Sequence, residues 1–170
     1  MIKNDIGLAD IVGGCKKNTM LMQLKEIAIK FRKAMDTLKD NCDLEDFYPF
    51  RRFPTGACGE TSEFFIFYLQ DKYNLRANYW LGKFADGGNH AWAQVGHVCV
   101  DLTADQFNSN LLRLEPVIVC REDEYPLKEF LVEKKIGARP KLTSYNYHMY
   151  CKITAHLNEP SNISPHLHLL

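Results

Sequence analysis

Two glycine-centred turns, Asp86-Gly87-Gly88-Asn89 and Gly96-His97, cut the stretch from Arg76 to Leu102 into three short runs. Connections this tight join antiparallel neighbours only. Arg76 to Phe84, His90 to Val95 and Val98 to Leu102 alternate well enough to be read as strands, so a three-stranded meander is expected. In a two-residue hairpin closing at 96 and 97, facing residues have numbers that sum to about 193. His90 then faces roughly position 103, and Asp101 is its diagonal neighbour, close enough to touch if both side chains share a face.

Helices are expected around this meander. From Asn18-Thr19, which reads as a cap, Met20, Leu24, Ile27, Phe31, Met35 and Leu38 recur at steps of three and four, predicting an amphipathic helix that ends near Asp40. Phe47 to Pro54, with two prolines and four aromatics, reads as an extended, anchored loop. Glu60 to Tyr73, carrying Phe64, Phe65, Phe67, Tyr68 and Leu69, reads as a largely buried helix that starts at or just before Cys58. Farther on, Val117 to Cys120 predicts a strand and Leu127 to Lys134 a short helix, while Lys141 to Ala155 fits either. The tail from Asn158 is expected to fray. The class is therefore α+β, in one domain over residues 1–170, with a core over about 45–135, an added N-terminal helix over about 19–40 and a tail from about 158.

A chain of 170 residues with 46% hydrophobic content can bury one substantial core. Its formal charge of zero removes the broad electrostatic attraction that nucleic acid or an anionic membrane would need. Cysteines stand at 15, 42, 58, 99, 120 and 151, never closer than 16 positions, so no C-x-x-C pair offers a zinc site and no metal or other cofactor is expected. With Lys3, Asn4 and Asp5 at the start, no signal peptide is read, and no apolar run reaches the ~20 residues of a membrane span. Reduced thiols in the cytoplasm are the expectation, with secretion by a signal-independent route left open.

Three residues have settings that suggest chemistry: Cys58 in Pro54-Thr55-Gly56-Ala57-Cys58-Gly59-Glu60, His90 opening His90-Ala91-Trp92, and Asp101 opening Asp101-Leu102-Thr103-Ala104-Asp105-Gln106-Phe107. A free thiol with a pKa of about 8.5 is a poor nucleophile at neutral pH unless a helix N-terminus or an imidazolium assists it. Cys58 has access to both, and Gly56 and Gly59 leave it sterically open. A carboxylate on one nitrogen of His90 would leave the other for sulfur. Trp92 shares the face of His90 and is expected to shield the ring or simply to pack. Asp105 is a rival carboxylate whose setting suggests turn or cap chemistry, and His97 reads as a turn residue. Cys99 and Cys120 read as core; Arg51-Arg52 reads as a surface pair, and His166 with His168 as a solvated tail.

Together, the Gly-Ala-Cys-Gly-Glu-Thr-Ser, His-Ala-Trp and Val-Asp-Leu-Thr-Ala-Asp-Gln-Phe segments resemble the transglutaminase-like superfamily of papain-like thiol enzymes, over roughly residues 50 to 107. The resemblance implies a papain-like core, with the cysteine helix packed on an antiparallel sheet. It assigns Cys58 as nucleophile, His90 as general base and acid, and Asp101 as orienter. Gln106 resembles a glutamine near the active site of some bacterial deamidase toxins of the superfamily. That makes it a candidate oxyanion donor, although a loop-capping role is equally compatible with its spacing; Gly59 and Trp92 are the other candidates around the substrate.

The implied activity is attack on an amide through a thioester, as a peptidase, glutamine deamidase or transglutaminase, with a protein or peptide as substrate. Arylamine acetyltransferases are longer, glycan-removing amidases usually carry zinc-binding cysteine pairs, and the animal cross-linking enzymes add β-domains. A papain-type peptidase would place its histidine much farther along than the 32 positions between Cys58 and His90. From another class, a transglutaminase-like binding or scaffold module with a residual triad is the competing expectation.

Overall fold

The computed structural model describes residues 8–109 and 112–157. Among them are helices α1 (Leu8–Asp40), α2 (Cys58–Tyr73) and α3 (Ser144–Ala155), and strands β1 (Asn78–Phe84), β2 (Asn89–Val95), β3 (Val98–Asp101), β4 (Ile118–Arg121) and β5 (Leu131–Ile136). The five strands form one sheet in the order β4-β3-β2-β1-β5, every neighbouring pair antiparallel. The class is α+β, and His90 lies on its central strand.

The meander has the expected register: Ala93 faces Val100, Gln94 faces Cys99 and Val95 faces Val98, each pair summing to 193. Gly96 closes the hairpin with φ of 56°, a conformation costly for a side chain with a Cβ. On one sheet face Ala93, Val95, Val98 and Val100 join Leu24, Phe31, Phe64, Phe65, Met149 and Ile153 in the main core between sheet and helices. The other face carries a smaller core of Trp92, Cys99, Tyr125 and Leu127, with Trp80, Phe84, Phe107 and Leu131 packed against it. His90 and Asp101 are both buried, and alternation along β2 puts His90 on the Trp92 side.

Several elements differ from expectation. Helix α1 starts at Leu8, so its ladder runs through Asn18-Thr19 and these residues are not its cap. The segment 47–57 is a chain of turns rather than an extended loop, with Phe50 N–H donating to Phe47 O, Phe53 N–H to Phe50 O and Ala57 N–H to Pro54 O. Leu127 to Lys134 is not a helix: a single 3-10 turn at Lys128–Phe130 runs into β5. The free edge of β1 accounts for this, since Trp80 pairs with Ile136 and Gly82 with Lys134, and such pairing overrides a weak local pattern. The ambiguous 141–155 segment resolves as helix because Thr143 caps it, its side chain accepting from Asn146 N–H while Asn146 Oδ1 accepts from Thr143 N–H. The tail from Asn158, with His166 and His168, lies outside the described residues.

Candidate active site

The sulfur is positioned by what precedes it. Phe47, Phe50 and Phe53 are buried, and Phe47 and Phe50 lie with their ring centroids 6.1 and 5.7 Å from that of Phe64 on α2. This aromatic cluster pins the turn segment to the helix it feeds. Gly56 then takes φ of 71°, and Cys58 follows as the first residue of α2, half-buried. Ala57 at the N-cap has no side-chain oxygen to give, so no cap competes for the first-turn amides that point past the sulfur.

At the sheet end, His90 Nε2 lies 2.7 Å from Asp101 Oδ2, with both side chains fully buried. Asp101 is held from three more directions: Tyr125 O–H donates to Oδ2 at 2.8 Å, Thr103 N–H to Oδ1 at 2.9 Å, and the Thr103 hydroxyl lies 3.4 Å from Oδ1. Burial on its own would raise the Asp101 pKa, but the facing imidazole and these donors hold it below the ordinary carboxylate range. Burial likewise disfavours protonation of His90, yet the Asp101 charge and hydrogen bond, with a hydrogen bond to Cys58, raise it to about 10. Since Nε2 is taken by Asp101, the nitrogen left for the Cys58 sulfur is Nδ1.

Gln106 sits beside this link as a tie rather than a free donor. Its Oε1 accepts from Gly56 N–H at 3.2 Å, and its Nε2 donates to Thr103 O at 2.9 Å and lies 3.3 Å from His90 Nδ1. The last contact is a hydrogen bond only when the ring is neutral. In the imidazolium both nitrogens donate, and sulfur becomes the acceptor for Nδ1–H. Thus Gln106 fastens the turn before Cys58 to the segment after β3, which is the capping role its spacing allowed.

The other sequence candidates also find places. Trp92 is buried and stacked on His90, centroids 6.1 Å apart, while Phe107 meets the ring edge-on at 4.9 Å, so the imidazole is enclosed by aromatic surface. Gly59 has the Tyr79 hydroxyl against it, 3.3 Å from where a Cβ would stand. Asp105 is engaged elsewhere, its two oxygens accepting from the Arg32 guanidinium at 2.9 and 2.8 Å. Arg51 donates to Glu45 O and lies over the Tyr48 ring, as a surface residue would. Cys42, Cys58, Cys99, Cys120 and Cys151 are free thiols, and Cys99 faces Cys120 across β3 and β4.

Sequence reasoning missed three contributors. Tyr125 lies 24 positions after its partner Asp101, in the acidic Glu122-Asp123-Glu124 turn, and no local pattern links them. Arg32 sits on the lysine-rich helix, where it looks like one more surface cation. Tyr79 is one of several aromatics on β1, but alternation puts it on the α2 face, where the charges of Glu63 and Cys58 act on it and burial keeps its hydroxyl protonated well above the usual range. Among the described residues no group of three or more His, Cys, Asp or Glu side chains is placed to hold a metal ion, and no helix is long and apolar enough to cross a membrane. No family model matches this chain, and no curated protein or solved structure matches it at a significant level.

Proposed function

We propose that the protein is a cysteine-nucleophile enzyme acting on amide bonds, with a papain-like arrangement of Cys58, His90 and Asp101. The observation that carries this reading is the buried pair of His90 and Asp101, Nε2 to Oδ2 at 2.7 Å, on a ring that the Cys58 thiol also reaches. Cys58 attacks the amide carbonyl as thiolate while His90 holds the proton; the C–N bond then breaks, His90 protonates the departing ammonia or amine, and a thioester remains. Water, activated by His90, opens the thioester to the acid; an amine in its place gives transfer. The Cys58 N–H at the uncapped end of α2 is the donor offered to the developing oxyanion, with the Tyr79 hydroxyl, which lies against Gly59, as a second.

Iodoacetamide at pH 7 is expected to label Cys58 at least tenfold faster than the exposed Cys42, and His90→Gln is expected to remove that advantage. Peptide mapping by mass reads both rates in one sample. Equal rates in the wild-type protein would falsify the nucleophile and favour the reading of a binding module. Intact-mass analysis of glutamine-containing peptides separates the reactions: deamidation adds about one dalton, hydrolysis splits the chain and transfer joins an amine.

A further inference from the structure

Two turns along α2 from Cys58, a pocket opens that does not include the sulfur. Its floor is Ile66, Phe67 and Gln70 of α2, its side wall is Tyr79, and its rim carries Arg76 and Arg139. The wall is tightly built. Gly137 crosses the Tyr79 ring so closely that a Cβ there would lie 2.6 Å from Cδ1, and Gly137 N–H donates to Tyr79 O at 2.8 Å. The far end of the same tyrosine rests on Gly59, so one side chain runs from the pocket to the residue after Cys58.

Both arginines are exposed, and neither makes an ion pair with any described residue. No carboxylate lines the pocket; on α2 Glu63 stands one turn before its floor and Asp71 follows Gln70, and the charges of Glu63 and Glu60 act on Tyr79. Along α2 from the sulfur, Glu60 and Glu63 come first, and beyond them two unpaired guanidinium groups stand over a floor of Ile66, Phe67 and Gln70. Guanidinium forks favour oxyanions with paired oxygens.

We propose that this pocket is a specificity site for an acidic peptide. It takes an anionic side chain three or four residues from the one attacked by Cys58, a placement that rests on Cys58 being the nucleophile. Eight helical residues from Cys58 to Ile66 span about 12 Å. An extended peptide covers that in three to four residues at about 3.3 Å each. Glu60, two residues after Cys58, disfavours an acidic residue next to the attacked one.

Binding tests this without relying on catalysis. Fluorescein-labelled octapeptides carry a central glutamine and, three or four residues to either side, Glu, phosphoserine or Gln; anisotropy is read on full-length Cys58→Ala protein. A Glu or phosphoserine peptide is expected to bind at least tenfold tighter than its Gln counterpart, and R76Q/R139Q, with an unchanged melting temperature, is expected to erase the difference. Preference for phosphoserine alone would assign the anion as phosphate, and equal preference as carboxylate too. Equal binding of all three peptides, or a preference that survives R76Q/R139Q, overturns the proposal. Should iodoacetamide label Cys58 no faster than Cys42 while the Glu preference holds, the hydrolase reading falls and an acidic-peptide pocket stands.

Discussion

Asp101 is the most constrained side chain of the site, and its neighbours fix how the site should respond to pH. Removing the Tyr125 hydroxyl takes one donor from a buried carboxylate, and hydrogen bonds to charged groups contribute about 1.5–3 kcal/mol. Tyr125→Phe should therefore lose stability of that order in urea denaturation; a loss below about 0.5 kcal/mol would mean that water replaces the phenol. His90, raised to about 10 in the fold from its ordinary 6.5, contributes stability that is complete below about pH 6.5 and is lost as pH climbs through 10. Asp101 works from the other side: held below its ordinary value, it contributes above about pH 4 and fades as pH falls through its depressed folded value. The stability gap between wild type and His90→Gln should accordingly be widest near pH 5–6 and shrink steadily between pH 7 and 10. A flat gap over that upper range would mean a neutral ring, with Gln106 as its donor at Nδ1.

At the level of elements, the close approach of β1, β2 and β5 positions His90. Gly82 faces His90 across β1 and β2, and a Cβ there would meet Leu131 at 2.7 and 3.0 Å and Trp92 at 3.0 Å. Gly82→Ala must therefore push either Leu131 off the sheet or Trp92 into the imidazole, with an overpacking cost of about 1–3 kcal/mol. Denaturation should show that loss together with slower alkylation of Cys58; an unchanged labelling rate would show that Leu131 alone yields. The same elements show what was legible in the sequence. Gly96-His97 set the register of β2 and β3, and the diagonal contact between His90 and Asp101 follows from counting across that turn. Likewise, Gly56 to Glu60 marked the start of α2, because a glycine turn followed by an aromatic-rich run is a local signal. By contrast, Leu127 to Lys134 carries no period-2 signature and reads as a helix, and only the open edge of β1 draws the chain from Leu131 onward into β5. Tyr125 was invisible for a related reason: its role depends on which face of the sheet the chain after β4 covers.

Across the whole molecule, Arg32 joins the N-terminal helix to both halves of the site. From the buried face of α1 its guanidinium donates to Leu102 O at 2.8 Å, Pro116 O at 3.1 Å and both Asp105 oxygens, while lying 4.7 Å above the ring of Phe53 in the turn segment that leads to Cys58. Burial opposes the charge, but Asp105 and Asp36 outweigh it and keep the group protonated. Arg32→Met keeps the aliphatic packing yet leaves the part-buried Asp105 carboxylate and two carbonyls without their donor, a loss of up to about 3 kcal/mol, the lower end of the range for a fully buried pair. Adding Asp105→Asn removes the stranded charge, so the double variant should recover part of that loss, and the four-protein cycle in urea isolates the pair from the carbonyl bonds. Asp105 also lies in the turn Ala104–Phe107 that carries Gln106, and Gln106 holds Gly56. Arg32→Met should therefore slow iodoacetamide labelling of Cys58 even at temperatures where the protein remains folded. If stability falls and labelling does not, Arg32 secures only the packing of α1; if the double variant recovers nothing, the loss lies in the Leu102 and Pro116 carbonyls and the Phe53 ring rather than in the ion pair.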